Sequence, residues 1–157
     1  MSLAADVLDA ARARGVMIAT AESCTGGLIV AALTEVPGSS DAVDRGFITY
    51  SNGAKQDMLG VRPDTLQAHG AVSEEVAMEM AAGALRHSAA GIAVSVTGIA
   101  GPGGSEHKPE GRVCFGIAQP FGTRTETVEF GAIGRHRVRA ATVEHALQLL
   151  MDALRRG

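Results

Sequence analysis

Two short apolar runs, Val16–Ala19 and Ile92–Thr97, each break off into a loop rich in glycine and hydroxyl side chains. Runs this short and this apolar read as strands buried on both faces, because one wet face would bring in a polar residue at every second position. A strand covered on both sides needs helices above and below it. The flanking segments supply them. Leu3–Arg14 is amphipathic at helical spacing, with Ser2 as N-cap and Gly15 as the stop. Ser73, followed by Glu74 and Glu75, starts a helix to about His87, its two acids reading as solvated helix-start residues that suit the dipole. Arg135–Arg156 reads as a closing helix with Val138, Val143, Ala146, Leu147, Leu150 and Leu154 along one side.

The first strand, Val16–Thr20, leads into a helix from about Thr25 to Thr34, with Ser23 or Thr25 as its cap. Phe47–Tyr50 is a β-prone run that ends in the turn signature Ser51-Asn52-Gly53. Ala54–Leu59 reads as a short helix and Pro63–Gly70 as a less regular stretch. Val113–Ala118 and Thr123–Phe130, joined at Pro120-Phe121-Gly122, read as an antiparallel hairpin. The expected fold is therefore α/β: a three-layer α/β/α sandwich on a mixed, mostly parallel sheet, forming one domain over residues 1–157. With 46% apolar residues the chain can fill such a core.

The composition also excludes functions. One Tyr, four Phe and no Trp leave no stacking platform for single-stranded nucleic acid, and a net charge of −3 gives no basic field for a polyanion. Nucleic acid is not an expected partner. Cys24 and Cys114 form neither a disulfide framework nor a zinc spacing, which fits a reducing cytosol. The chain shows no signal peptide and no apolar run long enough for a bilayer, so a cytoplasmic protein without a membrane partner is expected. The five His are scattered without metal-ligand spacing, and no metal or cofactor is expected.

Chemistry concentrates in three stretches. Thr20-Ala21-Glu22-Ser23-Cys24-Thr25-Gly26-Gly27 is a strand–loop–helix junction whose backbone amides face whatever the loop holds. Ser23 or Cys24 there is a candidate nucleophile beside donors for an oxyanion or a phosphate; Cys24, with no His partner, ranks second. Thr97-Gly98-Ile99-Ala100-Gly101-Pro102-Gly103-Gly104 matches neither a dinucleotide fingerprint nor a P-loop, but it admits close backbone approach to a ligand. Tyr50-Ser51-Asn52-Gly53-Ala54-Lys55 holds the only Tyr and one of only two Lys, the other being Lys108. No His-Asp pair serves a serine nucleophile, whereas a lysine amine can lose its charge and act as base. Arg135, Arg137 and Arg139 at the start of the last helix are candidates for a phosphate.

These blocks together resemble the CinA C-terminal domain family, the nicotinamide-nucleotide amidohydrolases. The likeness is carried by Thr20–Gly27, Gly46–Lys55, Gly70–Ser73, Thr97–Gly104, Lys108-Pro109, Gly111, Arg135 and Val138-Arg139, and so spans almost the whole chain. The resemblance implies hydrolysis of the carboxamide of nicotinamide mononucleotide to nicotinic acid mononucleotide and ammonia, in pyridine nucleotide recycling. It implies Ser23 as nucleophile, Lys55 as its base, and Tyr50 delivering a proton to the departing ammonia. Substrate contacts are expected from Cys24, Thr25, Gly26, Gly27, Thr97, Gly98, Gly101, Gly103, Gly104 and Arg135. The partner is a small-molecule nucleotide, and a homo-oligomer is expected. Family members commonly carry Gly-Asp before the late Arg, where this chain has Ile133-Gly134, which removes a carboxylate that would orient Arg135. That change supports a competing reading, a catalytically silent nucleotide-binding or interaction module linked to competence and DNA-damage responses. A Ser-Lys amidase acting on another amide is a third.

Overall fold

The computed structural model describes residues 2–156 and builds a five-stranded sheet in the order β2-β1-β3-β4-β5. Helix α1, Leu3–Arg14, is capped as its sequence predicts: Ser2 accepts from the Ala5 amide, and Gly15 closes the helix at φ 67°. Strand β1, Ile18–Glu22, is buried along its whole length. It runs parallel to β2, Val43–Ile48, on one side and to β3, Ile92–Gly98, on the other. Strand β4, Arg112–Gln119, pairs antiparallel with β3, and β5, Gly122–Glu129, pairs antiparallel with β4. Only β4 therefore opposes the common strand direction, and the sheet is mixed as expected.

Helices α1, α2 (Leu28–Thr34) and α6 (Arg135–Arg156) cover one face. Their core joins Val7, Leu8, Ile29, Leu33, Val138 and Leu150 to Ile18, Val94 and Phe115 of the sheet. Helices α3 (Asn52–Leu59), α4 (Pro63–His69) and α5 (Glu74–Arg86) lie on the other, where Leu59, Val76, Met80 and Ala81 meet Ala19, Ala21 and Ala93. Alanines on that face of β1 and β3 let the helices lie close. A Cβ at Gly83 of α5 would overlap the Leu59 carbonyl oxygen, so glycine there sets how near α3 comes to α5. None of the helices among the described residues is long and apolar enough to cross a membrane.

Several boundaries differ from the sequence reading. Strand β1 runs on through Glu22 because Glu22 and Thr20 are buried polar residues that satisfy one another, so polarity does not end the strand. Strand β2 begins at Val43 and stops before Tyr50. The stretch after Arg62 is a regular helix, α4, with Pro63 in its first turn. Helix α2 starts at Leu28, with Gly27 in the cap position and no hydroxyl capping it. Glu74 is not simply solvated: it accepts the hydroxyls of Thr125 and Thr127 and ties α5 to β5.

Candidate active site

The parallel register brings the ends of β1, β2 and β3 together, the usual place for a ligand crevice in an α/β sheet. Ser23 directly follows β1, and its amide donates to the Val96 carbonyl of β3 at 3.2 Å. The nucleophile candidate is thus pinned to the sheet by its own backbone. From the other side Thr49, just past β2, donates its amide to the Glu22 carbonyl at 2.8 Å. That contact sets where the chain turns into α3. Ser51 caps α3 by accepting from the Ala54 amide, and the first turn then carries Lys55 under the sheet end.

Lys55 Nζ lies 3.0 Å from Ser23 Oγ, 2.9 Å from the Thr49 carbonyl oxygen and 3.2 Å from that of Tyr50. It is 1% exposed and has no ion pair among the described residues. Burial holds this amine below the usual lysine range. The geometry gives the neutral form a defined task. As an ammonium, Lys55 donates to Ser23 Oγ and both carbonyls; once neutral, its two hydrogens suffice for the carbonyls and its lone pair is left for the Ser23 hydroxyl.

Glu22, which sequence reasoning passed over, explains why the loop holds still. Its carboxylate is fully buried and accepts five hydrogen bonds: the hydroxyls of Thr20 and Thr25 and the amides of Gly27, Ile29 and Val30. The protein thereby fills the anion-binding end of α2 with its own anion. Thr25, Gly26 and Gly27, expected to contact substrate, are not among the residues that line the cleft with Ser23. Thr25 is fully buried on Glu22, the Gly27 amide is spent on Glu22, and the Gly26 amide donates to the Ser23 carbonyl at 3.1 Å. The only sequence signal was an acid between a buried strand and a glycine turn, a position where an isolated buried charge would be costly. The amides of Cys24 and Thr25 have no acceptor among the described residues. Arg139, read as a phosphate candidate, instead grips this loop through the carbonyls of Cys24 and Thr25, at 3.0 and 3.2 Å.

The remaining expected residues line one open cleft of about 360 Å³. Its walls include Ser23, Cys24, Tyr50, Thr97, the Gly98–Gly104 loop, Glu106 and Arg135. Thr97, Gly98, Gly101, Gly103 and Gly104 therefore share the cleft with Ser23. Glu110 fastens the loop from behind by accepting the Gly103 amide at 2.6 Å. Tyr50 lines the same cleft with its side chain 64% exposed, and its hydroxyl accepts from Arg135 at 3.1 Å rather than meeting Ser23 or Lys55. Chain direction accounts for this, because the Tyr50 carbonyl faces Lys55 while its side chain leaves on the solvent side. Arg135 also donates to the Gly101 carbonyl at 2.6 Å, so it is oriented without the missing carboxylate. Arg137 is exposed. Cys24 is buried, and that burial pushes its thiol up to about 11.

A two-layered helix cover over a mixed sheet, with a serine and a buried lysine at the strand ends, defines the class, and the comparisons agree on the family. The CinA C-terminal domain family model matches residues 1–154, and the chain belongs to that family. The chain is 50% identical over 151 residues to the nicotinamide-nucleotide amidohydrolase PncC of Escherichia coli K12, spanning 96% of this chain and 92% of that one. It is 54% identical over 146 residues to a CinA-like protein of Chlorobium phaeobacteroides, spanning 90% of this chain but about a third of that longer relative (35%). Among solved structures, the competence/damage inducible protein CihA of Agrobacterium tumefaciens is 51% identical with a TM-score of 0.87, covering 96% of both chains.

Proposed function

We propose that this protein hydrolyses the carboxamide of nicotinamide mononucleotide, giving nicotinic acid mononucleotide and ammonia for pyridine nucleotide recycling. The observation that carries the reading is the 3.0 Å contact between Ser23 Oγ and a buried, unpaired Lys55 at the floor of a nucleotide-sized cleft. Neutral Lys55 takes the Ser23 proton as Oγ attacks the carboxamide carbon. The resulting oxyanion is met by the amide of Cys24, which lines the cleft and has no acceptor among the described residues. With the Tyr50 hydroxyl held on Arg135, the proton for the leaving nitrogen comes from Lys55 itself. Ammonia departs, leaving an acyl-serine. Water then attacks the ester with Lys55 again as base, and the proton returns to Ser23 Oγ. Arg135, propped by Gly101 and Tyr50, keeps further donors for the nucleotide phosphate.

The silent-module reading loses its motive once Arg135 has two other supports. Ammonia release from nicotinamide mononucleotide, measured with and without a chelator, tests the proposal. Turnover is expected in both. Activity that chelation abolishes and only a divalent ion restores would refute the serine–lysine mechanism, and absence of turnover would refute the function.

A further inference from the structure

The cleft is lined by one acidic side chain, Glu106, and one basic side chain, Arg135. Glu106 sits at the tip of a two-residue turn that the protein holds at a cost. Glu106 and His107 both take positive φ, 53° and 64°, where glycine is the usual occupant. Strain of this kind persists only where the surroundings over-determine it, and it gathers at sites that bind or react. The surroundings are visible. Ser105 and Lys108 exchange both backbone bonds across the turn, at 3.0 and 2.8 Å. Lys108 in turn donates to the carbonyls of His69 and Val72, both at 2.6 Å, which staples the turn to the segment before α5. Lys108 thereby spends two of its three donors on backbone, and Glu106 forms no ion pair among the described residues. A carboxylate without an ion-pair partner thus lines the cleft.

We propose that Glu106 is a specificity residue that reads the positive charge of an N-ribosylated pyridinium ring. The cleft then selects the cationic, oxidised nucleotide over a neutral ring of the same shape. The inference rests on the amidohydrolase reading. In nicotinamide mononucleotide the ring nitrogen bonded to the ribose carries a fixed positive charge, and the phosphate at the other end is anionic. One fixed acid and one fixed base in the cleft match that pair of charges. Glu106 is the one lining side chain whose fixed charge attracts a pyridinium over a dihydropyridine.

The test compares wild type with Glu106→Gln, which keeps the length of the side chain and removes the charge. Both are titrated with nicotinamide mononucleotide and with its dihydro form, which has the same carboxamide, ribose and phosphate but a neutral ring. Glu106→Gln is expected to raise KM or Kd for the cationic nucleotide by about 10-fold and to leave the neutral one within about two-fold, the scale of a single partly solvated charge contact. Glu106→Asp should fall between. Equal weakening of both nucleotides would assign Glu106 to the ribose or to the turn, and no change in either would leave it without a role; each overturns the proposal. Calorimetric binding keeps the two readings apart. A wild type that binds both nucleotides without releasing ammonia refutes the amidohydrolase function while the ratio of affinities still tests Glu106. Binding of neither refutes both.

Discussion

The two glycine loops begin alike, each at the end of a buried parallel strand, and they are put to opposite uses. The loop after β1 is turned inward. Its Gly27 amide and the Thr25 hydroxyl are consumed by Glu22, its carbonyls by Arg139, and Ser23 is fixed to β3. The loop after β3 is turned outward. It is fastened from behind by Glu110, and the wall it makes is backbone and glycine. On the proposed function, one loop mounts the reacting group and the other makes room for the molecule that reacts. Similar local sequence does not decide which; what decides is whether the protein supplies its own anion. Glu22 fills the first junction with five hydrogen bonds, whereas Glu110 takes a single amide of the second, that of Gly103, and leaves the cleft side of that loop open.

The comparison breaks most directly at Ser23. Ser23→Ala should lower kcat by about 10⁴-fold or more while the fold and nucleotide binding persist, since the hydroxyl contacts only Lys55. Single-turnover assays with a binding measurement check this. Near-normal turnover in the variant would remove the first loop from the chemistry.

Lys55→Arg comes next. It keeps a positive charge but replaces a titratable amine with a group that stays protonated, so kcat should fall by about 10²-fold or more with KM little changed. The pH profile carries the sign. The base acts when neutral, so kcat/KM of the wild type rises with pH, and burial sets that limb below the ordinary lysine value of about 10.4. Stability moves the same way. The unfolded chain holds the Lys55 proton more tightly than the folded one, so stability increases with pH between the folded and unfolded pKa values. Lys55→Met should accordingly be more stable than wild type at neutral pH. Chemical denaturation across pH checks it, and equal stability there would place Lys55 outside a desolvated site.

For Glu22→Gln the expected loss is mainly of stability, about 2–4 kcal/mol, because an amide nitrogen then faces groups that only donate. Urea denaturation measures it. A change under about 0.5 kcal/mol would mean that the first loop does not depend on its internal anion.

Much of this architecture is legible in residue order because local signals and burial agree. Ser2, Ser51 and Ser73 all accept from helix amides in the first turn, and Gly15 and Gly60 both close helices in the left-handed region. The Ser23–Lys55 pair was also legible, since the lack of a His-Asp pair left lysine as the available base. What escaped were contacts made across the fold. Glu22 carries no role in residue order, because the three amides that converge on it come from the following turn and helix. The Tyr50 side chain and carbonyl part in opposite directions, and residue order does not say which of them faces Lys55. Arg135 and Arg139 are four apart on one helix, yet one lines the cleft and the other holds the nucleophile loop.

The second loop is probed by Gly104→Ala. A Cβ there would overlap the Lys108 carbonyl oxygen, so the loop must shift. Because this loop shapes the cleft without touching Lys55, KM should rise by roughly 10-fold or less with kcat changed less. A collapse of kcat with KM unchanged would show the second loop taking part in the reacting geometry.

The smallest effect sharpens the comparison within the first loop itself. Cys24 is the neighbour of Ser23, lines the same cleft and is by intrinsic chemistry the better nucleophile. Burial denies it the thiolate: with the thiol pushed up to about 11, fewer than about one in a thousand is ionised at neutral pH. In the proposed mechanism Ser23 needs no standing anion, because Lys55, 3.0 Å away, takes its proton as it attacks. Cys24→Ala should therefore keep kcat within about three-fold of wild type, and alkylation of Cys24 in the native protein should be far slower than for a free cysteine. The Cys24 amide, the proposed oxyanion donor, is untouched by the substitution. Loss of turnover in Cys24→Ala together with rapid, activity-linked alkylation would move the nucleophile one residue along the loop and leave the Ser23–Lys55 contact a structural one.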